Sequence, residues 1–345
     1  MNIRILVTVV AGTYWGVGAG APGFFSPSDR EIPDGVRKVA TSIVQIVTLS
    51  DDPPEIPQEN YQKFKGLIEE SGGLLSRLCH KAIDECASKK ATSCKIPFKM
   101  SATGFFIKDQ PKTLWTAKHI YEDWLEEAFT RIAKLDISPR KKYAELLKKK
   151  VPFLLFDHNE KLLYDTRRKE DSASLSFVGE IRFINPNVVY PLSDVLSIEL
   201  ARSITSSMLT VAREVPKDGT RVYLGGFPTK TKLRKAMYKA KDAGETFNFS
   251  MGNVLELKPG LCGLHPQTTE GELAAMKTVL LCGDFDGVPG QSGGPIVNAS
   301  GEYIALFTNH TSTAPNLRPE DDYSPLGGFG YLHQFVENLR RDLEN

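Results

Sequence analysis

The segment Gly290-Gln291-Ser292-Gly293-Gly294-Pro295 is the part of this chain best suited to chemistry. A serine acts as a nucleophile when its hydroxyl is exposed on a tight turn, with backbone N–H groups aimed at the developing oxyanion. Glycines on both sides let the backbone take positive φ and approach a substrate without a Cβ in the way. A plain Gly/Ser turn between two strands is the competing reading. The flanks favour the nucleophile, because residues 278–282 before it and Ile296-Val297 after it are apolar, as a rigid sheet would require. Cysteines are the second reactive group. None of Cys79, Cys86, Cys94, Cys262 and Cys282 has zinc-ligand spacing. On a helix Cys79 and Cys86 stand roughly 10 Å apart, beyond disulfide reach. Cys94 is therefore expected to bond one of those two, and Cys262 to bond Cys282. An odd count leaves one thiol unpaired.

The elements that must position these residues are mostly strands. Turn-bounded β-branched or alternating stretches occur at residues 36–48, 99–107, 113–116, 153–156, 175–183 and 195–200. Others follow at 221–225, 253–257, 277–281, 295–298 and 303–307. Many short strands with Gly/Pro/Asp turns argue for β-barrels or sandwiches. Two insertions have helical spacing instead. The first, about 58–92, carries Phe64, Leu67, Ile68, Leu74, Leu75, Leu78 and Ile83 and is broken by Gly72-Gly73. The second, 121–150, carries Trp124, Leu125, Phe129, Ile132, Leu146 and Leu147 and is divided by Pro139. Residues 332–343 form an amphipathic helix. Residues 22–35, rich in Pro, Gly, Ser and Asp, are expected to be a flexible lead-in.

Gly-x-Ser-Gly-Gly-Pro resembles the nucleophile motif of the chymotrypsin/trypsin-like serine proteases. Three upstream segments extend the resemblance: Thr116-Ala117-Lys118-His119, Thr103-Gly104-Phe105-Phe106-Ile107, and Asp194 followed by the alternating Val195-Leu196-Ser197-Ile198-Glu199-Leu200. The order His, Asp, Ser is that family's own. The resemblance covers residues 36 to 343, interrupted by the helical insertions, and looks closest to the bacterial branches. It implies an all-β fold with helical insertions: two antiparallel six-stranded β-barrels, at 36–202 and 203–345, with a C-terminal helix. It also implies a serine endopeptidase that forms an acyl-enzyme without metal or organic cofactor. Ser292 would be the nucleophile, His119 the general base and Asp194 its orienting carboxylate. The N–H groups of Gly290 and Ser292 would form the oxyanion hole, at about 3 kcal/mol per donor.

Specificity is read less directly. Aligned on Ser292, Asp286 stands at the pocket-floor position that selects Lys or Arg in trypsin-like members, and Gly327 matches a small residue that keeps the pocket open. Thr308, Asn309 and His310 would form the pocket wall, and the strand edge at 307–309 would pair with an extended substrate. The surroundings of Asp286 (residues 283–288) depart from the trypsin-like pattern, so a solvent-exposed loop aspartate competes with the Lys/Arg reading. Phe307 stands where glutamyl endopeptidases carry a histidine, which disfavours cleavage after Glu. Gln291, uncharged, argues against activation by capture of a newly cut N-terminus. An inactive protease-like binding module and an esterase using the same triad are the alternative functions.

Composition bounds the partners. The 345 residues hold 43 basic and 42 acidic side chains, so the chain lacks the basic excess that nucleic acid or an anionic membrane would require. Protein or peptide substrates are expected. Arg4, the apolar stretch 5–10 and the small residues 11–21 resemble a signal peptide spanning 1–21, too short and Gly-rich for a membrane span. A secreted or periplasmic location with disulfides follows.

Overall fold

The computed structural model describes residues 24–69, 73–179, 194–228, 247–259, 262, 264, 267–285, 287, 290–310 and 328–344. The chain enters through a two-residue strand, β1 (Phe24–Phe25), and a short helix, α1 (Asp34–Val39). The lead-in is therefore docked where flexibility was expected: Ile32 and Val36 are buried, and Gly35 lies so close to the Ser300 carbonyl that a Cβ would meet it at 2.5 Å. The burial of these apolar residues outweighs the turn-rich composition around them. Residues 36–42, expected as strand, are helical for the same reason, and strand begins only at Ile43.

The first sheet is built from β2 (Ile43–Leu49), β5 (Phe98–Ile107), β6 (Gln110–Ala117), β7 (Phe153–Phe156), β8 (Leu162–Asp165), β9 (Ala173–Val178) and β10 (Val195–Leu200). Its order is β8-β7-β2-β5-β6-β10-β9, antiparallel throughout. A two-stranded ribbon, β3 (Glu55–Pro57) with β4 (Ser93–Lys95), brackets the first helical insertion. That insertion is the helices α2 (Tyr61–Glu69) and α3 (Gly73–Ser88). The second is α4 (Glu122–Ala133) and α5 (Pro139–Leu147), with Pro139 opening α5, where its missing N–H costs nothing.

The second sheet runs β1-β12-β11-β14-β15-β16-β13. Its strands are β11 (Arg221–Gly226), β12 (Asn248–Asn253), β13 (Leu280–Gly283), β14 (Pro295–Asn298), β15 (Tyr303–His310), β16 (Gly328–Leu332) and the returning β1. A capped helix, α6 (Glu270–Met276), precedes β13, and α7 (His333–Glu344) closes the chain. Each sheet thus has seven strands where six were expected. The short hairpin strand β8 completes the first; the N-terminal Phe24–Phe25 pairs with Phe249 and Ser250 to complete the second.

One apolar core runs across both sheets, from Ile43 and Phe105 on one to Tyr303 and Tyr331 on the other. The rings of Phe105 and Tyr303 meet at 4.6 Å. The connecting segment fastens the seam further. Leu209 bonds the backbone of Phe106 and Lys108, while Thr210 and Ala212 bond that of Tyr303. Cys86–Cys94 ties α3 to β4, and Cys262–Cys282 anchors the segment before β13. Cys79, on the same helix as Cys86, stays a buried thiol pushed up to about 11 by burial.

Candidate active site

Strand register brings the first two residues together. β10 pairs antiparallel with β6, with Val195 opposite Ala117. The residue before Val195 and the residues after Ala117 therefore emerge side by side at one end of the sheet. Lys118 N–H donates to the Asp194 carbonyl at 3.2 Å. A turn of 3-10 helix over Lys118–Tyr121 then swings His119 back toward Asp194. Asp194 holds it twice: Oδ1 accepts the His119 backbone N–H at 2.8 Å, and Oδ2 lies 2.6 Å from Nδ1. A carboxylate can only accept, so Nδ1 carries the proton and Nε2 is the free, basic nitrogen. Burial pulls the imidazole pKa down. The hydrogen bond to Asp194 and the charges of Asp194 and Glu122 outweigh it, and the net shift is upward.

Ser292 arrives from the second sheet on the turn between β13 and β14. Gly294 N–H bonds the Gln291 carbonyl at 2.8 Å and closes the turn. Gly290 and Gly293 have φ of 94° and 83°, values open to glycine and costly for other residues. Gly293 is also pressed into the seam: a Cβ there would lie 2.3 Å from both the Thr103 carbonyl and Thr116 Oγ1, and 2.7 Å from Ala117 N. The turn bearing Ser292 is thus seated against the end of β6, two residues before His119.

Thr103 is fully buried in β5 and makes two bonds to this turn and one to the segment after β11. Its N–H donates to the Ser292 carbonyl at 3.0 Å, its hydroxyl donates to the Gly290 carbonyl at 2.7 Å, and that hydroxyl accepts Phe227 N–H at 3.0 Å. Thr116 Oγ1 in turn donates to the Thr103 carbonyl at 2.8 Å. In the sequence Thr103 and Thr116 stand out only as members of their motifs, with no individual role. Their signal was a polar residue set in an otherwise buried apolar strand.

The structure brings His119 and Asp194 into direct contact and Ser292 to the same seam. It does not join the hydroxyl to the imidazole: among the described residues, Ser292 Oγ has one partner, the Thr308 carbonyl at 3.5 Å. The N–H groups of Gly290 and Ser292 donate to no acceptor among the described residues. Thr308 is buried beside the nucleophile, and Asn309 and His310 continue β15 opposite Phe329 and Gly328. β14 pairs with β15 only as far as Leu306. Phe307 then bonds the Ser292 turn, its N–H donating to the Gly294 carbonyl at 2.9 Å and its carbonyl accepting Gly293 N–H at 2.8 Å, and past Phe307 that side of β15 has no strand partner among the described residues. The ring of Phe307, expected to line the substrate cleft, is instead packed in the core of the second sheet, 5.9 Å from Phe285, with Val222, Leu224 and Leu281. Asp286, Gly327 and residues 1–21 lie outside the described residues. Among the described residues no group of His, Cys, Asp and Glu is arranged to hold a metal ion.

No family model matches the chain, and no curated protein matches it by sequence. Solved structures do. The chain is similar to the inactive form of a serine-to-alanine mutant of Rv3671c from M. tuberculosis, with 14% identity and a TM-score of 0.43 over 92% of this chain and 95% of that one. It is similar to the inactive form of Rv3671c protease, with 14% identity and a TM-score of 0.43 over 91% of this chain and 98% of that one. A serine endoprotease from Yersinia pestis matches with 13% identity and a TM-score of 0.42, over 89% of this chain and 66% of that one. The described residues form two antiparallel seven-stranded sheets followed by a C-terminal helix, the mostly-β, two-sheet architecture that the sequence resemblance implied.

Proposed function

We propose that the protein is a serine endopeptidase that cleaves protein or peptide substrates through an acyl-enzyme. The observation that carries this reading is the double hydrogen bond of Asp194 to His119, which leaves Nε2 basic beside the turn bearing Ser292. Ser292 Oγ attacks the peptide carbonyl and passes its proton to His119 Nε2. The carbonyl oxygen, now negative, takes the unengaged N–H groups of Gly290 and Ser292. His119 then protonates the leaving amine, and a water molecule, deprotonated by His119, releases the acid. On this reading the Ser292 hydroxyl leaves the Thr308 carbonyl for the imidazole when substrate binds. Catalytic hydrogen bonds are commonly completed only when substrate binds.

The Phe307 backbone is taken by Gly293 and Gly294, so of the expected stretch 307–309 only the edge at 308–309 supports pairing with an extended peptide. Cleavage after Lys or Arg through Asp286 stays a proposal, read from the alignment on Ser292; a peptide library resolved by the residue before the cut tests it. The two disulfides support an oxidising, extracytoplasmic location. No helix among the described residues is long and apolar enough to cross a membrane. Export by a signal peptide at 1–21 is part of the proposal.

The unmade bond between Ser292 and His119 favours one other reading, a protease-like module that binds without cutting. A fluorophosphonate probe separates the two. The protease is expected to be labelled at Ser292 and to hydrolyse a peptide substrate, with both lost in Ser292→Ala. A folded wild-type protein that stays unlabelled at mildly alkaline pH would leave only the binding module.

A further inference from the structure

Resting on the protease reading, we infer that Thr103 is a positioning residue for the oxyanion hole, acting from one sheet on the nucleophile turn of the other. Two N–H groups, of Gly290 and Ser292, have to stay unpaired in the resting protein and point at a place where charge later develops. Free donors are unstable in that state, because a peptide unit able to rotate will turn to find an acceptor. Something must therefore clamp the peptide units on either side of them.

Thr103 fits that task. The peptide unit after Gly290 is fixed through its carbonyl by the Thr103 hydroxyl, and the one after Ser292 through its carbonyl by Thr103 N–H. The positive φ of Gly290 alone would leave the first of these free to swing. The hydroxyl's own orientation is set, since it accepts Phe227 N–H and has one proton to give. Its backbone is set as well, through the pairing of Thr103 with Gln45 and the bond from Thr116. Thr116 pairs with Leu196 on the strand that begins after Asp194. One buried threonine thus stands between the turn that carries Ser292 and the two strands that carry His119 and Asp194.

The test replaces Thr103 with the isosteric Val, which removes the hydroxyl and keeps the backbone bond, and with Ser, which keeps both. Three quantities are measured well below each variant's melting temperature: the rate of fluorophosphonate labelling, kcat and KM on a peptide, and affinity for a peptidyl boronic acid. The boronate forms a tetrahedral adduct and so senses the oxyanion hole. In Thr103→Val, labelling, kcat and boronate affinity are expected to fall together, roughly 10- to 100-fold, as a displaced catalytic group implies. KM should stay near wild type, and Thr103→Ser should restore all three. If Thr103→Val does not fold, Thr103→Ala gives the same comparison. A labelled wild type with a Thr103→Val variant that is only less stable, at unchanged labelling rate and boronate affinity, overturns the positioning role alone. A wild type that neither labels nor binds boronate overturns the protease reading and this inference with it.

Discussion

His119 and Asp194 set opposing demands at the residue scale. A general base must be neutral, so turnover is expected to rise with pH through the imidazole pKa, which lies above the ordinary value of about 6.5. The same upward shift acts on stability with the opposite sense. Its contribution is complete below the unfolded value and is lost as pH rises through the folded one. On the proposed mechanism, turnover is therefore expected to be fastest where the His119–Asp194 pair stabilises the protein least. Asp194→Asn removes the hydrogen bond and charge that raise the pKa and leaves the burial that lowers it. We expect kcat to fall about 10⁴-fold, since Nδ1 loses its acceptor and the tautomer is no longer held. The acid limb of kcat/KM should also move to lower pH. A pH–rate profile of both proteins checks the two effects, and an unmoved limb would show that Asp194 does not set the pKa.

At the scale of elements, the seam depends on loops held by cross-links. The Cys262–Cys282 bond has a sequence separation of 20 and joins the irregular segment after β12 to the strand that leads into the nucleophile turn. Cys262 has a φ of 48°, a strained value for a residue with a side chain, so the bond also holds local strain in place. Closing a loop of that size restricts the unfolded chain by about 3 kcal/mol. Replacing both cysteines with serine should reduce the unfolding free energy by that order in a denaturant titration. Cys86–Cys94 closes a much shorter loop on the far side of the first sheet, with a separation of 8, and its removal should cost less. Equal losses from the two double variants would contradict the loop-length argument.

For the whole molecule, α7 is the clamp that completes the two-sheet body. Its Glu337 accepts a hydrogen bond from Gln110, at the start of β6 in the first sheet, at 3.1 Å, and pairs with Arg340 at 3.8 Å. His333, at the start of α7, lies against the ring of Tyr303 in the second sheet at 5.3 Å. Burial is the main influence on His333 and lowers its pKa, with Glu337 and Asp109 pulling it upward less strongly. The unfolded chain thus binds a proton here that the folded protein resists, so stability should fall as pH drops below about 6.5 toward the folded value. His119 is already at its full contribution there and does not mask the effect. Melting temperature measured against pH should decline less steeply in His333→Gln than in wild type. Parallel curves would mean that α7 senses no proton at this position.

The amino-acid sequence alone singled out the residues proposed to do the chemistry, and most of the elements. Ser292 between glycines, His119 after Thr-Ala-Lys and Asp194 before an alternating strand are local patterns, and local patterns are what a linear chain displays. The Cys262–Cys282 bond and the break at Pro139 were legible locally, whereas helix spacing narrowed Cys94 only to Cys79 or Cys86, and the fold selected Cys86. Only tertiary structure decided which surfaces those elements meet. The lead-in at 24–35 looked flexible because its turn residues carry no hint that Ile32 and Val36 would be buried. Phe307 looked like a cleft residue because strand alternation does not reveal that Phe285 waits on the other side. Thr103 drew no notice as an individual because its partners lie more than 120 residues away in sequence. A hydrogen bond between distant segments exists only after both sheets have formed, and no window along the chain contains it.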